Sequence, residues 1–296
     1  MQVSKKQLLR IIREELLRHE KKVLRETVAS ILSEGIYDQG ILKAVFMAGG
    51  PGSGKSFTAK ALFGGNKASE LASSTTSGLK ILNSDPAFEK YLDDVGVDPG
   101  DLADIAANDP ELAYELGLDD DRGVPPGSPR GKAKSFKKTA QRMWTRDDAR
   151  LGIIVDGTGD DLEKITGKKA AMEELGYDTY MVFVNTTLEV AQERNMKRKR
   201  KLPPPKVDEI WTDVQANLGA FQGLFGQGNI TIVDNTVYGP LPEDVVDAIT
   251  DFLARPIRNP IGRQWIEDQL STRGGGTKKE RSRLLGQQTA RNRGEQ

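Results

Sequence analysis

The sequence predicts a parallel, three-layer α/β domain, and three observations carry that reading. Short apolar segments recur at 41–47, 79–83, 151–156, 178–184 and 229–233. Each is followed by polar residues or glycine and separated from the next by helical patterns, the alternation that builds parallel sheets. The stretch AVFMAGGPGSGKSFTAKALFG, Ala44 to Gly64, passes from an apolar strand through a glycine-rich turn into a helix. Two later segments deliver a carboxylate, Asp85 just beyond the second and Asp156 at the end of the third. Open α/β sheets bind their ligands at that edge.

Composition narrows the chemistry. The chain has 296 residues, enough for one domain with extensions or at most two. Without cysteine it forms no disulfide and no Cys-based metal site. Its one histidine, His19, argues against His-based zinc chemistry and a Ser-His-Asp triad. There is no apolar run of membrane-spanning length, and the N-terminus is charged and amphipathic rather than signal-like. A cytoplasmic protein is expected, in a cell or an infected cell. The 43 basic and 43 acidic residues balance overall but not locally. Residues 84–122 hold thirteen acidic and two basic residues, whereas 194–206 hold seven basic and no acidic ones.

The elements follow in order. Residues 1–34 read as a helix opened by a capping box of Ser4 and Gln7. Leu9, Ile12, Leu16, His19 and Val23 form its apolar stripe, His19 as a packing residue, and Gly35 ends it. The almost wholly apolar 41–47 reads as a buried central strand. The helix after Ser56 closes at Gly64 and Gly65. The span 84–150 is too long for one crossover and predicts helices at 86–95, 100–116 and 132–150 around a loop at 123–131. In the last of these, Phe136, Ala140, Met143 and Trp144 are expected to pack, and Lys134, Lys137, Lys138 and Arg142 to be solvated. After the fourth strand, Thr186 and Glu189 suggest a capping box, and Pro203 to Pro205 a helix stop. The polar, basic residues after Leu270 predict a disordered tail.

Gly49, Gly54, Lys55 and Ser56 satisfy G-x-x-x-x-G-K-[ST]. Gly49, Gly50, Pro51, Gly52, Ser53, Gly54, Lys55, Ser56 and Phe57 are therefore the expected nucleotide-binding residues. Glycines let successive N–H groups approach phosphate, and the following helix adds its positive end. Lys55 would reach the β- and γ-phosphates of ATP, and Ser56 would ligate Mg²⁺. Asp85 is placed to accept the proton of an attacking hydroxyl, although Asp85-Pro86 is also a good helix start. Asp156 would hold the Mg²⁺ shell through water, and Thr158, between two glycines, would contact the acceptor. On a continuous helix Arg194, Lys197, Arg198 and Lys201 share a face, while Arg200 points elsewhere unless the helix unwinds. These arginines read as a lid over the transferring phosphate.

Together, GGPGSGKS, NSD, VDGTG and ERNMKRKRKLP resemble the P-loop kinases grouped around the zeta toxins and the bacteriophage polynucleotide 5′-hydroxyl kinases. The resemblance implies a five-stranded parallel sheet of order 2-3-1-4-5, with Asp85 as catalytic base and Arg194, Arg198 and Arg200 as lid arginines. It frames a kinase domain over 40–254, with a helical insert at 84–150 and a lid at 187–206. An amphipathic extension (1–35) and a C-terminal one (255–296) flank it. The expected activity is ATP- and Mg²⁺-dependent phosphoryl transfer to a hydroxyl of a small molecule, nucleotide or nucleotide sugar. A polynucleotide 5′-kinase ranks second, because the acidic insert repels long polyanions. The rival from another class is a nucleotide-binding interaction protein of phage origin, docking on a partner through residues 1–34.

Overall fold

The computed structural model describes residues 38, 40–64, 77–119 and 121–272. The expected N-terminal helix with Ser4, Gln7 and His19, the cap residue Gly65 and the tail beyond 272 lie outside them. Five strands form one parallel sheet: β1 (Lys43–Ala48), β2 (Lys80–Leu82), β3 (Ile153–Asp156), β4 (Asp178–Asn185) and β5 (Ile230–Asp234). Their order is β2-β3-β1-β4-β5, as the resemblance implies. Strand β1 lies between β3 and β4, with Val45 opposite Ile154 on one side and Tyr180 on the other. All carboxyl ends therefore emerge on one edge, and the order reverses at β1, where such sheets bind ligands.

Ten α-helices accompany the sheet among the described residues: α1 (Lys55–Phe63), α2 (Asp85–Asp94), α3 (Leu102–Asn108), α4 (Pro110–Leu116), α5 (Pro129–Trp144), α6 (Leu162–Glu174), α7 (Leu188–Met196), α8 (Pro204–Phe225), α9 (Glu243–Ala254) and α10 (Pro260–Thr272). Alternation along β1 divides the core. Phe46 and Ala48 face Ile165 and Met172 of α6 and Val214, Phe221 and Phe225 of α8. Val45 and Met47 face Phe63 of α1 and Val245, Ile249 and Phe252 of α9. The insert has a small core of its own, with Phe88 and Leu92 of α2 against Leu102, Leu116 and Ala133. No helix among the described residues is long and apolar enough to cross a membrane.

Several expectations needed correction. The helix expected over 100–116 is broken at Pro110, whose ring cannot continue the preceding turn, and Asp109 caps the second half by accepting from the Leu112 N–H at 3.0 Å. Helix α5 starts at Pro129, capped by Ser128, and ends at Trp144, leaving Met143 exposed. Thr187, not Thr186, caps α7. Pro203 to Pro205 begin α8 instead of stopping α7, because proline suits a first helical turn. The packed core also continues past 254, since Ile257 and Trp265, Ile266 and Leu270 of α10 join the α6–α8 face.

Asp178 fastens that last segment to the sheet. Its carboxylate accepts from Lys43 Nζ at 3.2 Å and from the Asn259 N–H at 2.9 Å. Burial pushes the Lys43 ammonium down to about 8, more than Asp178 pulls it back. Asp178→Ala is expected to cost about 3–5 kcal/mol, because it leaves a buried cation unpaired. Urea titration should show the loss with nucleotide affinity of the folded fraction unchanged. A loss below about 1 kcal/mol, the size of a surface pair, would contradict it.

Candidate active site

The turn between β1 and α1 is shaped by glycines that nothing else replaces. Gly52 sits at φ +77°, where an added Cβ would collide with the Ala191 backbone. Gly54, at φ +89°, has the Asn235 amide in the same position. Gly54 is also the N-cap of α1 and offers no side chain, so the first-turn N–H groups keep their capacity for an anion. The Asn235 amide donates to the Ser53 carbonyl at 2.7 Å and steadies the loop from the end of β5.

Lys55 folds beneath this loop. Its ammonium donates to the Gly49 carbonyl and lies 3.5 Å from that of Gly50. Burial lowers its pKa, against the pull of Asp156. A cavity of about 710 Å³ opens over the loop and reaches the insert. The loop residues Gly50 to Ser56 line it, with Asp85, Asp156, Thr158, Arg194, Arg198 and Arg200. The structure thus brings the expected site residues together, with two exceptions. Gly49 lies behind the wall and contributes its carbonyl to Lys55. Phe57 stands off the wall and meets the ring of Tyr238, which does line the cavity, edge-on at 5.9 Å.

Asp85 opens α2, but Ser84 is the N-cap and the Asp85 carboxylate makes no cap bond. The Asp85 N–H donates to Asn83 Oδ1 at 2.8 Å, and the carboxylate faces Arg200 Nη2 at 3.1 Å and Arg130 Nη1 at 3.8 Å. Asn83 also donates through Nδ2 to Asp156 Oδ2 at 2.9 Å. One amide therefore holds the Asp85 backbone and the Asp156 carboxylate. The other Asp156 oxygen is buried without a hydrogen-bond partner. Burial raises the Asp156 pKa, opposed by Lys55 and Lys137. Asn83→Ala is expected to lower turnover by about tenfold or more, since small misplacements of reacting groups are costly. The ATP KM should hold, and an unchanged kcat would show that Asn83 positions nothing.

The lid departs from the expected continuous helix. Helix α7 ends at Met196, and Lys197 to Leu202 run as irregular chain. Arg194 stays helical, donates to the Asn235 carbonyl at 2.8 Å and stacks on Tyr238 at 4.3 Å. Arg198 is exposed on the cavity wall. Arg200, turned inward by the unwinding, reaches Asp85 and leaves its Nη1 buried without a partner. Lys199 pairs with Asp98 of the insert at 3.1 Å. Thr158 lines the cavity but donates its hydroxyl to Asp160.

Sequence reasoning missed Asn83, Arg130, Asn235 and Tyr238, and misplaced Lys137. Lys137 is half-buried rather than solvated on the outer face: its Nζ lies 3.4 Å from the Asp156 carbonyl, and burial lowers its pKa. The position of Asn235 immediately after a strand end was a usable signal. Nothing distinguished Lys137 from the other lysines of its helix.

Mg²⁺ fits the donors present. Ser56 and Asp156 offer the hard oxygen ligands it takes, and the unpartnered buried Asp156 oxygen would gain a partner. No cluster of three acidic or histidine residues forms among the described residues, which suits an ion held mainly by phosphates and water.

No protein-family model and no curated protein matches the chain. Among solved structures it is similar to a chain of the PezAT chromosomal toxin–antitoxin system of Streptococcus pneumoniae, with 15% identity, 85% of this chain and 94% of that chain covered, and a TM-score of 0.44. It is also similar to a chain of the AvrRxo1-ORF1:-ORF2 complex, with 14% identity, 88% and 84% coverage and a TM-score of 0.40. A third is shikimate kinase from Acinetobacter baumannii in complex with shikimate, with 15% identity, 72% and 94% coverage and a TM-score of 0.34.

Proposed function

We propose that the chain is an ATP-dependent phosphotransferase that moves the γ-phosphoryl group to a hydroxyl of a small molecule, nucleotide or nucleotide sugar. The observation that supports it best is that Asp85, free of capping duty, faces the same cavity as the Lys55 loop. A nucleotide-binding loop alone would not need that carboxylate.

The loop N–H groups and Lys55 hold the β- and γ-phosphates. Bound by Ser56 and Asp156, Mg²⁺ would neutralise charge between the phosphates. Asp85 accepts the proton of the acceptor hydroxyl as its oxygen bonds to the γ-phosphorus. The bond from that phosphorus to the β–γ bridging oxygen breaks, and its electron pair leaves on ADP. The unpartnered Nη1 of Arg200 is a donor that an equatorial phosphoryl oxygen would satisfy. Arg194 is committed to backbone carbonyls and Tyr238, so its part is to hold the loop and the β5 end together. A polynucleotide acceptor fits less well, because Asp93, Asp94, Asp101 and Asp104 of the insert are exposed.

ADP release measured with and without a mixture of hydroxyl compounds tests the reading. Stimulation by acceptor supports a kinase. Tight ATP binding with slow turnover that no acceptor changes would support the interaction-protein reading.

A further inference from the structure

Charge in the insert is sorted by side. Among its residues up to Arg122, Asp85 is the one acidic side chain on the cavity wall, and the exposed acids point elsewhere. Helix α5 does the opposite and turns cations inward. Arg130 lies in its first turn and Lys137 seven residues on, a spacing that puts both on one helix face, about 10 Å apart along the axis. Both line the cavity. The Arg130 guanidinium lies 4.5 Å over the Phe88 ring, which fixes its plane beside Asp85. Lys137 sits at the Asp156 carbonyl.

The nucleotide does not call for these two cations. Its phosphates already have the loop, Lys55 and the lid arginines. Asp85 faces both Arg130 and Arg200, so one carboxylate is shared by two guanidiniums and the wall keeps a net positive charge. The wall beside them is apolar, built from Phe88, Leu102, Ala103, Ala106 and Leu118. This end of the cavity therefore offers a carbon surface, two cations and the Asp85 carboxylate.

We infer that the acceptor is a small hydroxyl compound carrying an anionic group of its own, a carboxylate or a phosphate, held by Arg130 and Lys137 with its carbon skeleton against Phe88, Leu102 and Ala106. The inference rests on the phosphotransferase reading and narrows it. Charge on the acceptor, not only a hydroxyl, is what the insert selects.

The test uses the full chain, γ-labelled ATP and acceptors in matched pairs: hydroxy acids with their methyl esters, sugar phosphates with the parent sugars, and a short 5′-hydroxyl oligonucleotide. Transfer is expected to anionic members, with kcat/KM at least about tenfold above the neutral partner, the scale of one charge-assisted contact. The acid and phosphate arms separate the two anion types. Arg130→Gln and Lys137→Gln should each raise the KM of the anionic acceptor about tenfold or more without moving the KM for ATP. Arg130→Lys should restore part of the loss, which a merely structural role would not predict. Equal use of neutral partners, preference for the oligonucleotide, or acceptor KM values within twofold of wild type would overturn the acceptor class and leave the kinase standing. Transfer to no member of either kind would overturn the kinase reading itself.

Discussion

Replacing Lys55 by alanine is expected to lower phosphoryl transfer by about 10²–10³-fold or more, the scale set by removing one preorganised charge from a transition state. The side chain lies against the loop, its ammonium donating to the Gly49 carbonyl. Its cost to the fold should be small. The ammonium is desolvated, donates to backbone carbonyls and only partly recovers that cost from Asp156, so removing it relieves a buried charge. Single-turnover rates with γ-labelled ATP and a thermal melt check both halves. A wild-type rate in this variant would end the nucleotide-loop assignment.

Asp85→Asn should lower turnover by about 10²–10⁴-fold, the range for a general base, with ATP affinity retained. Asparagine keeps the shape but neither takes the proton nor balances Arg200 and Arg130. Because the carboxylate makes no cap bond, the melting temperature should hardly move. The reverse pattern, unchanged turnover with lowered stability, would show that Asp85 only starts a helix.

The parts of the site legible in the sequence are those where backbone geometry forces residue type. Gly52 and Gly54 need conformations that other residues rarely adopt, so their spacing reveals the loop. Asp85 and Asp156 follow apolar strands, so parallel topology alone brings them to one edge. What escaped depends on where helices break and which way a side chain then turns. Arg200 reaches Asp85 only because α7 stops at Met196, and helical spacing had pointed it away. Lys137 becomes a cavity residue only because α5 packs on α2 across the insert, a contact that charge pattern does not encode. Asn83 and Asn235 act through amide hydrogen bonds that local propensity does not register. The packing of α10 is visible only in the tertiary core, since its apolar residues are sparse among polar ones.

The most direct test follows the γ-phosphorus itself. Wild-type protein is incubated with labelled ATP and a pool of hydroxyl compounds, and the labelled products are identified. The account predicts label in a stable phosphate monoester on an acceptor hydroxyl oxygen, with ADP formed in equal amount, and at least about a hundredfold less of it from the Lys55→Ala and Asp85→Asn variants. Label recovered only as inorganic phosphate, at a rate that no hydroxyl compound changes, would contradict it.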